Sequence, residues 1–117
     1  MDVVVGIEER DGVTIVRASG DLDVATAPRL REQVIRHITA GQVQVVLDLE
    51  AVDFVDSTGL GVIVGLLKRT RSLGGDLRLV STRPALRRIL ELTALDRALP
   101  LAASVDELLG PGGPAGG

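Results

Sequence analysis

Val43-Gln44-Val45-Val46-Leu47-Asp48-Leu49, and shortly after it Asp53-Phe54-Val55-Asp56-Ser57-Thr58-Gly59-Leu60-Gly61-Val62-Ile63-Val64-Gly65, is the stretch on which the reading of the chain turns. The first part is a strand, apolar on both faces toward its end, as a central parallel strand covered by helices is. The second leads through a short polar loop into a helix from Ser57 to Leu73, with Leu60, Ile63, Val64 and Leu67 facing inward. Asp56 or Ser57 caps that helix, and Lys68, Arg69 and Arg71 near its C-terminus complement its dipole. Gly59, Gly61 and Gly65 fall inside it, each at a cost of up to about 1 kcal/mol relative to Ala. Propensity does not select glycine there. Either another backbone packs closely on that face, or a partner approaches the first turn unobstructed.

Upstream, Val3 to Ile7 and Val13 to Ala18 read as two strands joined at Asp11-Gly12, a strong hairpin signal. Gly20-Asp21-Leu22-Asp23 breaks the pattern. Ala27, Leu30, Val34 and Ile38 then share one helical face, with Thr26 as N-cap, Pro28 in the first turn and Gly41 as the stop. Downstream, Gly74-Gly75 ends the second helix, Leu77 to Val80 form a strand, and Pro84 opens a helix to about Leu92. Ala98 to Leu101 suggest a last weak strand, and Ser104-Val105-Asp106-Glu107 is a capping box for a short final helix. The order is α/β: a mixed sheet of four to five strands with an N-terminal hairpin and about four helices. Residues 1–109 form one domain, and Gly110 to Gly117 is expected to be a disordered Gly/Pro-rich tail.

Composition narrows the functions. Phe54 is the only aromatic residue among 117, so no stacking platform for bases is present, and the formal net charge of −3 argues against nucleic acid. The absence of cysteine removes disulfides and thiolate metal sites and is compatible with a cytoplasmic location. Met1-Asp2-Val3 lacks a basic start, so no signal peptide is expected. The apolar run Leu60 to Leu67 is far shorter than the ~20 residues of a membrane span.

Four chemical readings of the Asp56-Ser57 region compete. A dinucleotide fingerprint needs its glycines in the turn, whereas Gly59, Gly61 and Gly65 lie within the helix. A phosphate-binding loop is missing, since no Gly-Lys-Ser/Thr occurs. A serine hydrolase needs a base, and the only histidine, His37, lies on the first helix among Arg36, Ile38 and Thr39. Asp21, Asp23, Asp48, Asp53 and Asp56 invite a Mg²⁺ and phospho-aspartate reading, but a receiver domain carries paired acids after its first strand, where this chain turns into a hairpin. The bland reading makes them turn and cap acids. No metal or cofactor is expected, and no catalysis by this chain alone.

Three blocks together resemble the STAS family, and more narrowly its bacterial anti-sigma factor antagonists. They are Gly20-Asp21-Leu22-Asp23 with Ala25-Thr26-Ala27; Val46 to Leu49 with Val52 to Gly61; and Gly74 to Val80 with Pro84 and Leu92-Thr93-Ala94-Leu95. The resemblance covers about residues 3 to 109, and Asp-Ser-Thr-Gly-Leu-Gly is its most specific block. It implies a partner-switching protein. Unphosphorylated, it binds an anti-sigma factor that is also a serine kinase, so that a sigma factor is freed; phosphorylation of the serine after the motif's Asp, here Ser57, ends this, and a serine phosphatase restores it. Thr58 is the neighbouring alternative acceptor. The resemblance places Asp21, Asp23, Asp56, Ser57, Thr58, Gly59, Leu60 and Gly61 at the partner surface, in a cytoplasmic protein with no membrane region. A STAS scaffold or ligand-sensing module that never turns over phosphate is the alternative.

Overall fold

Asp11 and Gly12 both adopt left-handed backbone (φ 53° and 80°), the geometry of a two-residue hairpin turn whose twist matches the flanking strands. The computed structural model describes residues 3–110, and the hairpin it opens on comprises β1 (Val4–Arg10) and β2 (Val13–Leu22). The remaining elements are α1 (Ala27–Thr39), β3 (Gln44–Val55), α2 (Ser57–Ser72), β4 (Asp76–Val80), α3 (Pro84–Leu92), β5 (Leu101–Ala102) and α4 (Val105–Leu109). The sheet order is β1-β2-β3-β4-β5; β1 pairs antiparallel with β2, and every other pair is parallel. This is the expected mixed α/β sheet, with β3 at its centre.

The two faces of the sheet are covered unequally. On one, Val16, Ala18, Leu22, Val45, Leu47, Leu49, Leu77 and Leu79 meet Leu30, Val34 and Ile38 of α1, Ile63, Leu66 and Leu67 of α2, and Leu86 and Leu90 of α3. On the other, Ile15, Val46, Val80 and Ala102 meet Val105 of α4, flanked by Leu108 and Leu109. Period-two alternation in β2 and β3 sends neighbouring apolar residues to opposite faces, which is why β3 reads as continuously apolar. Ser104 caps α4 by accepting from the Glu107 N–H at 3.1 Å, and Arg10 ties α4 to β1 through Asp106 at 3.2 Å.

Several boundaries differ from the sequence reading. Gly20-Asp21-Leu22 does not break β2; the strand runs through it, with register shifts against β3 at Arg17/Ser19 and Gly20/Asp21. The segment before Asp56 is likewise strand, because the extended β2 supplies it with a partner: Asp21 pairs with Phe54 and Leu22 with Val55. Each shift resets the alternation in β3, so the positions buried under α1, α2 and α3 run Val45, Leu47, Leu49, then Val52, then Val55. In α2, Leu66 and Thr70 are buried, while Leu60 and Val64 are only part-buried. The last strand begins at Leu101, with Leu99 buried ahead of it. Of the segment expected as a tail, Gly110 is described as the C-cap residue of α4, and residues 111–117 lie outside the described residues.

Helices α1, α2 and α3 all end in the same motif, in which the residue after the cap is left-handed and the next N–H reaches back to the last turn. Gly41 and Gly74 fill that position in α1 and α2, but Ala94 fills it in α3 (φ 58°), with Leu95 N–H bonded to Leu90 O at 2.8 Å. A side chain in this region costs about 1–2 kcal/mol, partly offset by the greater unfolded-state freedom of glycine. Ala94→Gly is therefore expected to stabilise the protein by about 0.5–1 kcal/mol in urea denaturation. A loss of stability would show that the Ala94 methyl group contributes packing.

Candidate partner-binding site

The C-terminal edge of the sheet gathers the ends of β2 and β3, the β2–α1 loop and the first turn of α2. Asp56 joins them. Its N–H donates to Leu22 O at 3.0 Å, its Oδ1 accepts from Gly59 N at 2.8 Å, and its Oδ2 accepts from Val24 N at 3.2 Å. One carboxylate thus caps α2 and fastens the β2–α1 loop to it. Of the two capping candidates, Asp56 holds the role. Ser57 is left as the first residue of the helix, exposed, its hydroxyl and its N–H without a partner among the described residues. Thr58 is exposed beside it, its hydroxyl also without a partner among the described residues.

Asp23 organises the neighbouring loop. Its Oδ1 accepts from Ala25 N at 2.9 Å, Thr26 N at 3.1 Å and the Thr26 hydroxyl at 3.1 Å. Desolvation works to raise its pKa, but the Ala25 and Thr26 donors together outweigh it and hold the carboxyl below its ordinary value. Thr26 sits at the N-cap position of α1 without capping it; its hydroxyl donates instead to Asp21 O at 2.5 Å, and Asp23 N donates to that hydroxyl at 3.0 Å. On the other side, Glu50 accepts from Thr82 N at 2.5 Å and from the Thr82 hydroxyl, and Arg83 bonds both Glu50 O (2.7 Å) and Asp53 (3.0 Å). The Thr82 donors hold Glu50 below its ordinary pKa against desolvation. These bonds clamp the end of β3 to the start of α3.

The structure brings Asp21, Asp23, Asp56, Ser57 and Thr58 to one edge, but the motif's glycines divide. A Cβ on Gly59 would lie 2.6 Å from Leu22 O, so its role is close approach of α2 to β2, and it is buried. A Cβ on Gly61 meets nothing within 4 Å. Leu60 is part-buried against the core. The sequence reading passed over two residues of this surface: Val24 is 70% exposed and Phe54 is 55% exposed. Phe54 faces solvent because the second register shift turns it out of the alternation begun at Val52. Its status as the only aromatic residue was the available signal. The cleft between Phe54 and α3 holds about 50 Å³, against about 300–1,000 Å³ for a typical small-molecule pocket. Of the other acids, Asp48 pairs with Arg17 (3.6 Å) and Asp53 with Arg83. His37 closes α1, its Nδ1 2.5 Å from Gln42 Oε1.

The edge is therefore a surface of mixed character, apolar at Val24 and Phe54 and carrying a free hydroxyl at a helix start, rather than a pocket. The model of the STAS domain matches residues 5–108. The chain belongs to the STAS family. Among STAS relatives, the anti-sigma F factor antagonist of Paenibacillus polymyxa is 35% identical over 102 residues, covering 86% of this chain and 87% of that protein. The anti-sigma-B factor antagonist of Bacillus subtilis is 32% identical, covering 88% and 94%. The crystal structure of an anti-sigma factor antagonist from Mycobacterium paratuberculosis superposes with a TM-score of 0.83 at 33% identity, covering 92% and 91%. The five-stranded mixed sheet and four helices are those of this STAS neighbour.

The glycines of the STAS motif yield opposite expectations. Gly59→Ala forces α2 away from the Leu22 carbonyl and is expected to cost about 1–3 kcal/mol. Gly61→Ala fills open space in a helix and is expected to add up to about 1 kcal/mol. Urea denaturation of both variants checks this, and the reverse order would refute the packing account. For Asp23, the lowered pKa means a contribution fully present above the ordinary Asp value and lost as pH falls through the folded-state value. The stability advantage of wild type over Asp23→Asn is expected to shrink on going from pH 7 to below about pH 3.5. An advantage that is equal at both pH values would mean that the turn does not prefer the carboxylate.

Proposed function

We propose that the chain is an anti-sigma factor antagonist whose unphosphorylated form binds an anti-sigma factor serine kinase through the Asp56–Gly61 edge and frees a sigma factor. Phosphorylation of Ser57 ends the binding and a serine phosphatase restores it. The observation that carries this reading is the Ser57 hydroxyl, exposed and without a partner among the described residues at the start of α2, on the edge that also carries the exposed apolar residues Val24 and Phe54. The names of the STAS relatives support it. Ser57 acts as a substrate, so the base and the nucleotide belong to the kinase. Asp21, Asp23, Asp56, Thr58 and Gly61 frame the contact, with Leu60 at its margin and Gly59 holding the turn from within. Residues 1–109 carry the switch and 110–117 take no part. The setting is cytoplasmic, with neither nucleic acid nor membrane as partner; among the described residues no helix is long and apolar enough to cross a membrane.

A phosphate adds about −1.5 to −2 charge at pH 7. At the start of α2 it meets the positive helix end, so the fold tolerates it. In a closed interface the same charge must be desolvated, at an effective cost of several kcal/mol. Since each ~1.4 kcal/mol is tenfold in affinity, binding is expected to fall about 100- to 1,000-fold. Ser57→Asp, a partial mimic, is expected to bind the kinase far more weakly while melting within a few degrees of wild type. Ser57→Ala is expected to bind and accept no phosphate. Incubation with the kinase and ATP, intact mass and a binding titration test this. Full phosphorylation of Ser57→Ala would move the site, with Thr58 first in line. Unchanged affinity of the phosphorylated protein would favour the scaffold reading.

A further inference from the structure

A groove between α1 and α2 is explained by neither the core nor the Ser57 edge. Its cavity of about 410 Å³ has Ile35, Gly65 and Leu66 among its lining, with Arg31, Lys68 and Arg69 as its cations. At Arg31 and Ile35 it passes into a second concavity of about 520 Å³ along α1. Arg31, Lys68 and Arg69 are exposed, and among the described residues none of their side chains has a hydrogen bond or ion pair; of the cations along the two concavities, Arg36 is offset by Glu32 at 3.1 Å. On a chain of net charge −3, three unpaired cations around one groove invert the local sign of the potential. Gly65 adds a second observation. It lies inside α2, where glycine costs about 1 kcal/mol relative to Ala, yet a Cβ there meets nothing within 4 Å. Folding does not ask for it. It leaves helix backbone reachable between the cations.

We propose that this groove is a docking site for an acidic amphipathic helix of a partner protein. Side-chain ridges of one helix seat in the groove between others, and a glycine lets the backbones approach closely. The apolar stripe of the incoming helix lies over Ile35 and Gly65, with buried Leu66 forming the floor, and its carboxylates meet Arg31 on one wall and Lys68 and Arg69 on the other. A nucleic acid fits less well, because the groove has no aromatic side chain for bases to stack on. The proposal stands apart from the Ser57 switch, since its residues belong to the C-terminal half of α2 and to α1 rather than to the first turn.

The full chain is titrated at low salt with a labelled synthetic helix of about 18 residues carrying glutamates beside a leucine and alanine stripe. Its scrambled isomer and a single-stranded DNA oligonucleotide serve as comparisons. Saturable binding is expected, with amide shifts confined to residues 28–39 and 61–72. Lys68→Glu/Arg69→Glu is expected to weaken it at least about tenfold, and Arg87→Glu/Arg88→Glu on α3 to leave it unchanged. Gly65→Leu is expected to weaken binding several-fold without loss of thermal stability, a combination that a purely structural glycine does not produce. Equal binding of the scrambled peptide or the oligonucleotide would reduce the groove to a general cation patch and overturn the proposal. So would unchanged affinity in the charge-reversed or Gly65→Leu protein, or the absence of saturable binding.

Discussion

The carboxylate of Asp56 is the constraint on which the functional edge depends. It satisfies one orphan N–H of α2 at Gly59 and one of the β2–α1 loop at Val24, while the Asp56 N–H closes on Leu22 O. These bonds fix where α2 begins relative to the end of β2, and the missing side chain at Gly59 lets the two approach. Once that distance is set, the exposure of Ser57, Thr58 and Val24 follows from local geometry. An alanine at position 56 would leave two donors without their side-chain acceptor, a loss of the size usually seen when a helix cap is removed, about 1 kcal/mol. The larger consequence would be positional, since no other hydrogen bond among the described residues joins Val24 to α2.

The unequal sheet faces explain how so small a chain keeps this edge rigid. Three helices pack one face as a single aliphatic core, so the crossover helices that leave the ends of β2 and β3 at the edge are anchored along their length. Among the described residues the opposite face carries only the short α4, and beyond it a polar ladder in which Glu8 bonds Arg10 and Arg17, and Arg17 reaches Asp48. Arg17 and Arg10 hold the Glu8 carboxyl below its ordinary value, with desolvation opposing. Such exposed pairs contribute little stability each. They make the stretch of that face around Glu8 polar, although Val4 further along β1 is exposed; Val24 and Phe54 are the exposed apolar residues of the functional edge.

Elements governed by local chemistry were legible in the sequence. The Asp11-Gly12 turn, the Ala27-Leu30-Val34-Ile38 face, the Pro84–Leu92 helix and the Ser104 cap all fall where residue type alone directs them. The motif around Ser57 was legible for the same reason, and Asp56 as cap was one of two readings open. What escaped was set by partners distant in sequence. β2 and β3 each run several residues further than their patterns suggest because each supplies the other's hydrogen bonds, and the register shifts that turn Phe54 outward exist only in that pairing. Thr26 has the composition of a cap, but its hydroxyl oxygen accepts from Asp23 N instead of a helix N–H while the hydroxyl donates to Asp21 O, and these partners are visible only when the loop is folded.

The three glycines of α2 show why residue type underdetermines cause. All three carry the same propensity cost, and the sequence offers the same two explanations for each. The structure separates them by what a β-carbon would touch: the carbonyl of Leu22 at position 59, and open space at positions 61 and 65. Only the first is repaid within the fold. The helix tolerates the other two because Ile63, Leu66 and Leu67 are buried beneath it and supply stability that propensity withholds. A helix held by packing can leave bare backbone on its outer face, whereas one held by propensity cannot. The aliphatic core beneath α2 is thus what permits a surface on that helix from which side chains are missing.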